Sequence, residues 1–222
     1  MRTKIWMFPG LNMKAETFEH VQQYFMKQQL STEMAAVFSS SGKADIPYEL
    51  EGSEEEEWIC IGHGEGGLEA IHMALQYPTK VKAIVTISLN LQPYSVIQHS
   101  MLKILARKDV KIGGGLLPFE RSSKEELMPY FNTLSLKPSK MLELDAFRKE
   151  ISMKVREVNQ PWLFLYGDKE LPVIAKTLQQ IKRQVPLIQS NQMPHCGHYL
   201  PLEDPKGLEK QIRTFLNQVL VS

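Results

Sequence analysis

Six short apolar runs, each followed by a turn signal and then by a segment of helical periodicity, constrain this chain more than any other feature. They are Ile5–Phe8, Met34–Phe38, Trp58–Ile61, Ala83–Ser88, Trp162–Tyr166 and, more weakly, Pro186–Gln189. The runs are rich in Val, Ile and aromatic residues and apolar on both faces, as parallel strands covered by helices on each side must be. The expected class is α/β, a mostly parallel sheet of about six strands with helices on both faces.

Between the runs, Phe18, Val21 and Phe25 form one helical stripe, and Leu68, Ile71 and Leu75 form another that stops before Pro78. Leu208, Ile212, Phe215, Leu216 and Val219 form the most regular stripe, behind Asp204-Pro205 as a helix start. Core packing accounts for all three. The rhythm breaks between Leu91 and Gln160, a stretch too long for one crossover and too apolar for a linker. It carries a stripe (Ile97, Met101, Ile104, Leu105), the turn Gly113-Gly114-Gly115 and a helical region from Lys140 to Val158. A single domain over 1–222 with a helical lid inserted at 91–160 is expected. The glycines at 113–115 suit a hinge or simply a loop needing positive φ.

Charge excludes some functions. Lys and Arg number 26 against 25 Asp and Glu, a formal net charge of +1, so neither a nucleic-acid nor an anionic-membrane surface is expected. Cys60 and Cys196 are too few for a disulfide framework, and no run approaches the length of a membrane span. The apolar run behind the charged start is too short for a signal peptide, and a cytoplasmic location follows as the expectation. The run Glu54–Glu57 reads as a solvated connection rather than a metal site.

The chemistry concentrates where Trp58–Ile61 runs into Gly62-His63-Gly64-Glu65-Gly66-Gly67 and a helix from about Leu68. Strand, tight turn and helix are the setting of a nucleophile elbow, G-x-S-x-G. Gly64 stands where the serine is expected. Glycines at 62 and 66 let strand and helix approach closely.

From these residues the chain resembles the α/β-hydrolase family, in particular its small lidded esterases, thioesterases and MenH-like hydrolases. The resemblance runs over nearly the whole chain and is densest at Ile61–Val85, where Gly66-Gly67-Leu68 and Gln76-Tyr77-Pro78-Thr79-Lys80-Val81 match the family pattern. It implies that the chain begins at the family's third strand and that Phe8-Pro9-Gly10 belongs to the oxyanion loop. Pro194-His195-Cys196-Gly197-His198 is similar to the family's late histidine loop, which makes His198 the base. The acid follows Trp162–Tyr166 in Gly167-Asp168-Lys169-Glu170, with Glu170 the match and Asp168 the runner-up. The oxyanion donors are then the backbone amides of Glu65 and Leu11.

Two other residues offer substitutes for the missing hydroxyl. Glu65 is one, positioning a water for His198. Cys196 is another, although a small buried thiol is its plainer role. His195, Cys196 and His198 match no standard zinc spacing, so no metal and no cofactor are expected. His63 reads as a packed neighbour of the turn, and His20, His72 and His99 as surface or satisfied core residues. The resemblance implies a protein related to carboxylic-ester or thioester hydrolases that retains base and acid without the nucleophile, acting by general-base chemistry on a small carbonyl compound. The competing reading is a non-catalytic ligand- or partner-binding protein. A third is a serine deliberately changed to glycine at 64 to trap a substrate. Neither substrate nor oligomeric state is legible.

Overall fold

The computed structural model describes residues 2–11, 13–28, 30–34, 56–107, 128–131 and 137–220. Its strands are β1 (Arg2–Phe8), β2 (Ser31–Met34), β3 (Glu56–His63), β4 (Val81–Ile87), β5 (Trp162–Gly167) and β6 (Ile188–Met193). They form one parallel sheet in the order β2-β1-β3-β4-β5-β6. The described helices are α1 (Glu19–Lys27), α2 (Gly66–Gln76), α3 (Val96–Arg107), α4 (Pro138–Lys154), α5 (Pro172–Lys182), the single turn α6 (Leu200–Glu203) and α7 (Pro205–Val219). Pro205 opens α7, and the Asp204 carboxylate caps it by accepting from the Gly207 amide at 3.1 Å.

Helices cover both faces because the four inner strands are apolar on both. On one face Ile5, Met7, Ile59, Ile61, Val85 and Leu163 pack against Val21 and Phe25 of α1 and the stripe Leu208, Ile212, Phe215 and Leu216 of α7. On the other, Trp6, Phe8, Trp58, Cys60, Ile84 and Phe164 meet α2, α4 and α5. The chain leaves β1 toward β2 on one side and leaves β3 toward β4 on the other. The strand order therefore reverses between β1 and β3, and the loops after these two strands diverge at the carboxyl edge. Such a reversal opens the crevice where ligands bind in open α/β sheets.

The two edge strands depart from the sequence reading. The run Met34–Phe38 was expected as a strand, but the pairing segment is Ser31–Met34, matched to Lys4–Met7; residues 35–38 lie outside the described ones. The last strand is Ile188–Met193 rather than Pro186–Gln189. Among the described residues each edge strand pairs on one side only; its sequence is polar (STEM, IQSNQM) and hydrophobicity does not locate it.

The 91–160 stretch is not of one kind. Leu144, Ile151, Val155 and Val158 are buried in the same core as α2 and α5, so the last part of the expected lid is the crossover between β4 and β5. Ile97 and Ile104 of α3 point outward, 73% and 55% exposed, instead of forming a packed stripe. Gly113-Gly114-Gly115 and the side chains of Met101 and Leu105 lie outside the described residues. Among the described residues no helix is long and apolar enough to cross a membrane.

Candidate active site

The β3–α2 turn is built from glycine contacts. A Cβ on Gly62 would fall 2.1 Å from the Gly66 carbonyl oxygen, and one on Gly66 would fall 2.0 Å from that of Phe8. Strand, turn and the loop after β1 therefore touch backbone to backbone. Gly64 at the apex is left-handed, with φ +53°, and donates its amide to the Ile87 carbonyl at 2.8 Å. Unlike its neighbours it has room. A Cβ there would stand 3.7 Å from His198 Nε2 and 3.9 Å from Gly10 Cα.

His198 arrives from the loop after β6. Its Nδ1–H donates to Glu170 Oε2 at 2.9 Å, and both side chains are almost wholly buried. Glu170 follows β5, and its other oxygen accepts from the Leu171 amide at 2.9 Å. Burial pushes this carboxyl up, but the His198 contact, the Leu171 amide and the Ser88 hydroxyl outweigh it and hold the group below its usual range. The loops carrying the two residues are fixed to each other at Gly167, where a Cβ would fall 2.0 Å from the Cys196 carbonyl oxygen.

Asp168 and Glu170 thus take different places. Asp168 is exposed and accepts from the Cys196 amide at 3.3 Å, bracing the loop that leads to His198. The His195 and Cys196 amides keep its carboxyl below the usual range. Glu170 is the carboxylate brought to the imidazole.

His63, directly before the apex, is buried, and its Nε2–H donates to the His198 carbonyl at 2.8 Å. A carbonyl only accepts, which fixes the tautomer and leaves Nδ1 as a buried lone pair without a partner among the described residues. Burial, then the charge of His198, push its pKa down to about 3. The ring packs 5.0 Å from that of His198, and Tyr199 stands edge-on to His198 at 5.2 Å. Phe131, from the segment before α4, meets Tyr199 at 5.1 Å, so this segment reaches the site.

The two expected oxyanion donors are the amides of Leu11, in the loop after β1, and Glu65, directly after Gly64. Neither the Leu11 nor the Glu65 amide donates to another backbone group among the described residues. The Glu65 carboxylate pairs with Arg148, its Oε1 3.4 Å from Nη2. Cys196 is buried and its thiol donates to the Pro194 carbonyl at 3.4 Å. His195 is exposed, and the described residues contain no cluster of three metal-binding side chains. Of the remaining histidines, His20 lies 3.9 Å from Glu209, His72 stacks edge-on with Phe147 and His99 contacts Asp145.

Sequence reasoning passed over Arg148 and Ser88. Arg148 sits on a helix whose inward face, Leu144, Asp145, Arg148 and Ile151, is half charged, so no apolar stripe marks it. Ser88 reads only as the end of a strand.

No family model matches the sequence. Several solved structures share the architecture over almost the whole chain. A monoacylglycerol lipase from Paleococcus ferrophilus has a TM-score of 0.75 at 15% identity, covering 98% of this chain and 94% of that one. A thermophilic esterase from Thermogutta terrifontis gives 0.72 at 14%, covering 98% and 90%. MenH from S. aureus gives 0.65 at 12%, covering 99% and 94%. Identity this low carries the fold and not the activity. With its six parallel strands, its helices on both faces and these neighbours, the chain has the α/β-hydrolase fold.

Proposed function

We propose that this protein is related to carboxylic-ester or thioester hydrolases, keeps the base His198 and the acid Glu170, and has glycine in place of the nucleophile. The reading rests above all on one observation: the direction a side chain would take from Gly64 ends 3.7 Å from His198 Nε2. A serine hydroxyl there would be within reach of the imidazole. Gly64 offers no such oxygen, so no acyl-enzyme forms at this position.

The chemistry left is direct general-base catalysis on a small carbonyl compound. Water attacks the carbonyl carbon as His198 Nε2 takes its proton, and Glu170 stabilises the imidazolium through Nδ1–H. The amides of Glu65 and Leu11 bind the oxyanion. Collapse expels the alkoxide or thiolate, which takes the proton back from Nε2. Loss of a triad serine costs about 10⁶ in turnover, whereas oxyanion binding alone keeps about 10³ to 10⁴ over water, so turnover is slow.

The experiment is Gly64→Ser, assayed with short p-nitrophenyl esters and acyl thioesters. A burst of product followed by His198-dependent turnover, absent from the parent, is the expected result. A folded but inactive Gly64→Ser protein overturns the reading. The competing reading, a non-catalytic binding protein, draws on the pairing of Glu65 with Arg148, which engages one oxygen of the carboxylate next to Gly64. It predicts the same ligand affinity with and without His198, and no turnover in either form.

A further inference from the structure

His198 lies between regular elements: β6 ends at Met193 and the single turn α6 begins at Leu200. A residue so placed takes its direction from the contacts that its loop makes. Ser88 and His195 are the two non-glycine residues with positive φ among the described ones, and His195, at φ +55°, lies in this loop. A left-handed backbone there persists only where its surroundings impose it.

The contacts converge on Glu203, the last residue of α6. Its buried carboxylate accepts the Gly197 amide at 3.0 Å and the Tyr199 amide at 3.1 Å, both at Oε2. These are the residues on either side of His198. Two amides meeting at one oxygen fix the path of the chain through the residue between them, and a carboxylate oxygen holds them more strongly than a neutral acceptor does. The Leu202 and Glu203 amides both return to the Tyr199 carbonyl at 2.9 Å, so Glu203 grips the residue after His198 by backbone and side chain alike. On the near side, the Cys196 carbonyl accepts from the Lys169 amide at 3.0 Å, which ties the loop to the segment carrying Glu170.

We infer that Glu203 is a positioning residue for His198: by holding the amides of Gly197 and Tyr199, its carboxylate sets the imidazole with Nδ1–H on Glu170 and Nε2 toward Gly64. It acts through the loop backbone. The role of His198 in a reaction rests on the function proposed above. Its placement does not, and is read in the resting protein.

The test follows the low-field His198 Nδ1–H resonance by NMR at one pH, beside thermal unfolding, in the parent, Glu203→Leu, Glu203→Gln, Glu203→Asp and Asp204→Ala. Glu203→Leu keeps most of the bulk and removes both acceptor oxygens. Glu203→Gln keeps one carbonyl oxygen for the two amides, and Glu203→Asp keeps the charge but withdraws it by one methylene. Asp204→Ala removes the cap of α7 and is the control for lost stability at the next residue. In Glu203→Leu the proton should shift and exchange with water on the order of tenfold faster than in the parent. Glu203→Gln should restore the parent resonance, and Asp204→Ala should melt lower and leave the resonance in place. Should Glu203→Leu not fold, Glu203→Asp gives the same reading, since its shortened side chain must also displace the proton. A resonance and exchange rate unchanged in Glu203→Leu and Glu203→Asp, or altered as much in Asp204→Ala, overturns the proposal. An inactive Gly64→Ser protein beside the expected resonances would sink the proposed function alone.

Discussion

Arg148 Nη2 on α4 lies 3.4 Å from Oε1 of Glu65, the residue directly after Gly64. The same guanidinium is 3.5 Å from Asp145 and stacks over the Tyr94 ring at 4.9 Å. Asp145, wholly buried, also accepts from the Tyr94 amide at 2.7 Å and meets Lys149 at 2.9 Å and His99 at 3.3 Å. The turn beside His198 is thereby tied to α4, to the start of α3 and to the chain between β4 and α3.

Arg148→Met should destabilise the protein by about 3 kcal/mol, because truncating one member of a buried ion pair strands the others. The value sits at the low end of such losses since Glu65 is 24% exposed and can recover water. Adding Glu65→Gln should return part of the loss, so the double variant costs less than the sum. Urea denaturation of the four proteins measures this. Strict additivity would show that the two residues do not act together.

His63 makes stability depend on pH in a defined window. Its folded pKa is pushed down to about 3 by burial and by His198, while the unfolded imidazole titrates near its ordinary 6.5. Stability is complete above the unfolded value and is lost as pH falls from there toward the folded one, with a limiting slope of about 1.4 kcal/mol per pH unit. Replacing His63 with Gln keeps a donor for the His198 carbonyl and removes the titration. The acid slope between the two values should then flatten, and unfolding free energies measured across that range are the check. An undiminished slope above the ordinary glutamate value of 4.5 would place its source elsewhere, since Glu170 and Asp145, both held below their usual range, lose their contribution only as pH falls below their ordinary values of 4.5 and 3.8.

The inner sheet and the strand–turn–helix were legible because burial on both faces forces Trp58–Ile61, Ala83–Ile87 and Trp162–Leu165 to be apolar, and close backbone contact forces glycine at 62 and 66. The pairing of His198 with Glu170 rather than Asp168 was legible from spacing and resemblance. The edge strands were not, since their open sides impose no pattern. The helix Pro138–Lys154 was legible as the region from Lys140 to Val158, but its burial was not, since its inward face carries Asp145 and Arg148 beside Leu144 and Ile151. Ser88 is invisible for a different reason: nothing in a sequence announces that a serine will be left-handed.

Both thiols should be silent in the native protein. Cys60 is wholly buried in β3 and its pKa is raised far beyond the usual thiol range by that burial, while Cys196 is buried with its Sγ–H on the Pro194 carbonyl. Labelling with a chromogenic disulfide should proceed at the rate of unfolding and accelerate with urea. Fast labelling of a single thiol in buffer would mean that the His198 loop opens, since Cys196 shares it.

Gly64 and Gly66 are two residues apart and should respond in opposite measure to the same change. At Gly64 the space is open and only the left-handed backbone resists, so Gly64→Ala should cost about 1 kcal/mol. At Gly66 a methyl would sit 2.0 Å from the Phe8 carbonyl oxygen and 2.6 Å from that of Pro9, both backbone atoms that no rotamer change can move. Gly66→Ala must separate β1 from the start of α2, and a loss above about 3 kcal/mol or failure to fold is expected. Thermal unfolding of the two variants compares them directly. Equal losses would mean that the apex is as tightly packed as its neighbour, and that Gly64 leaves no room for a side chain to reach His198.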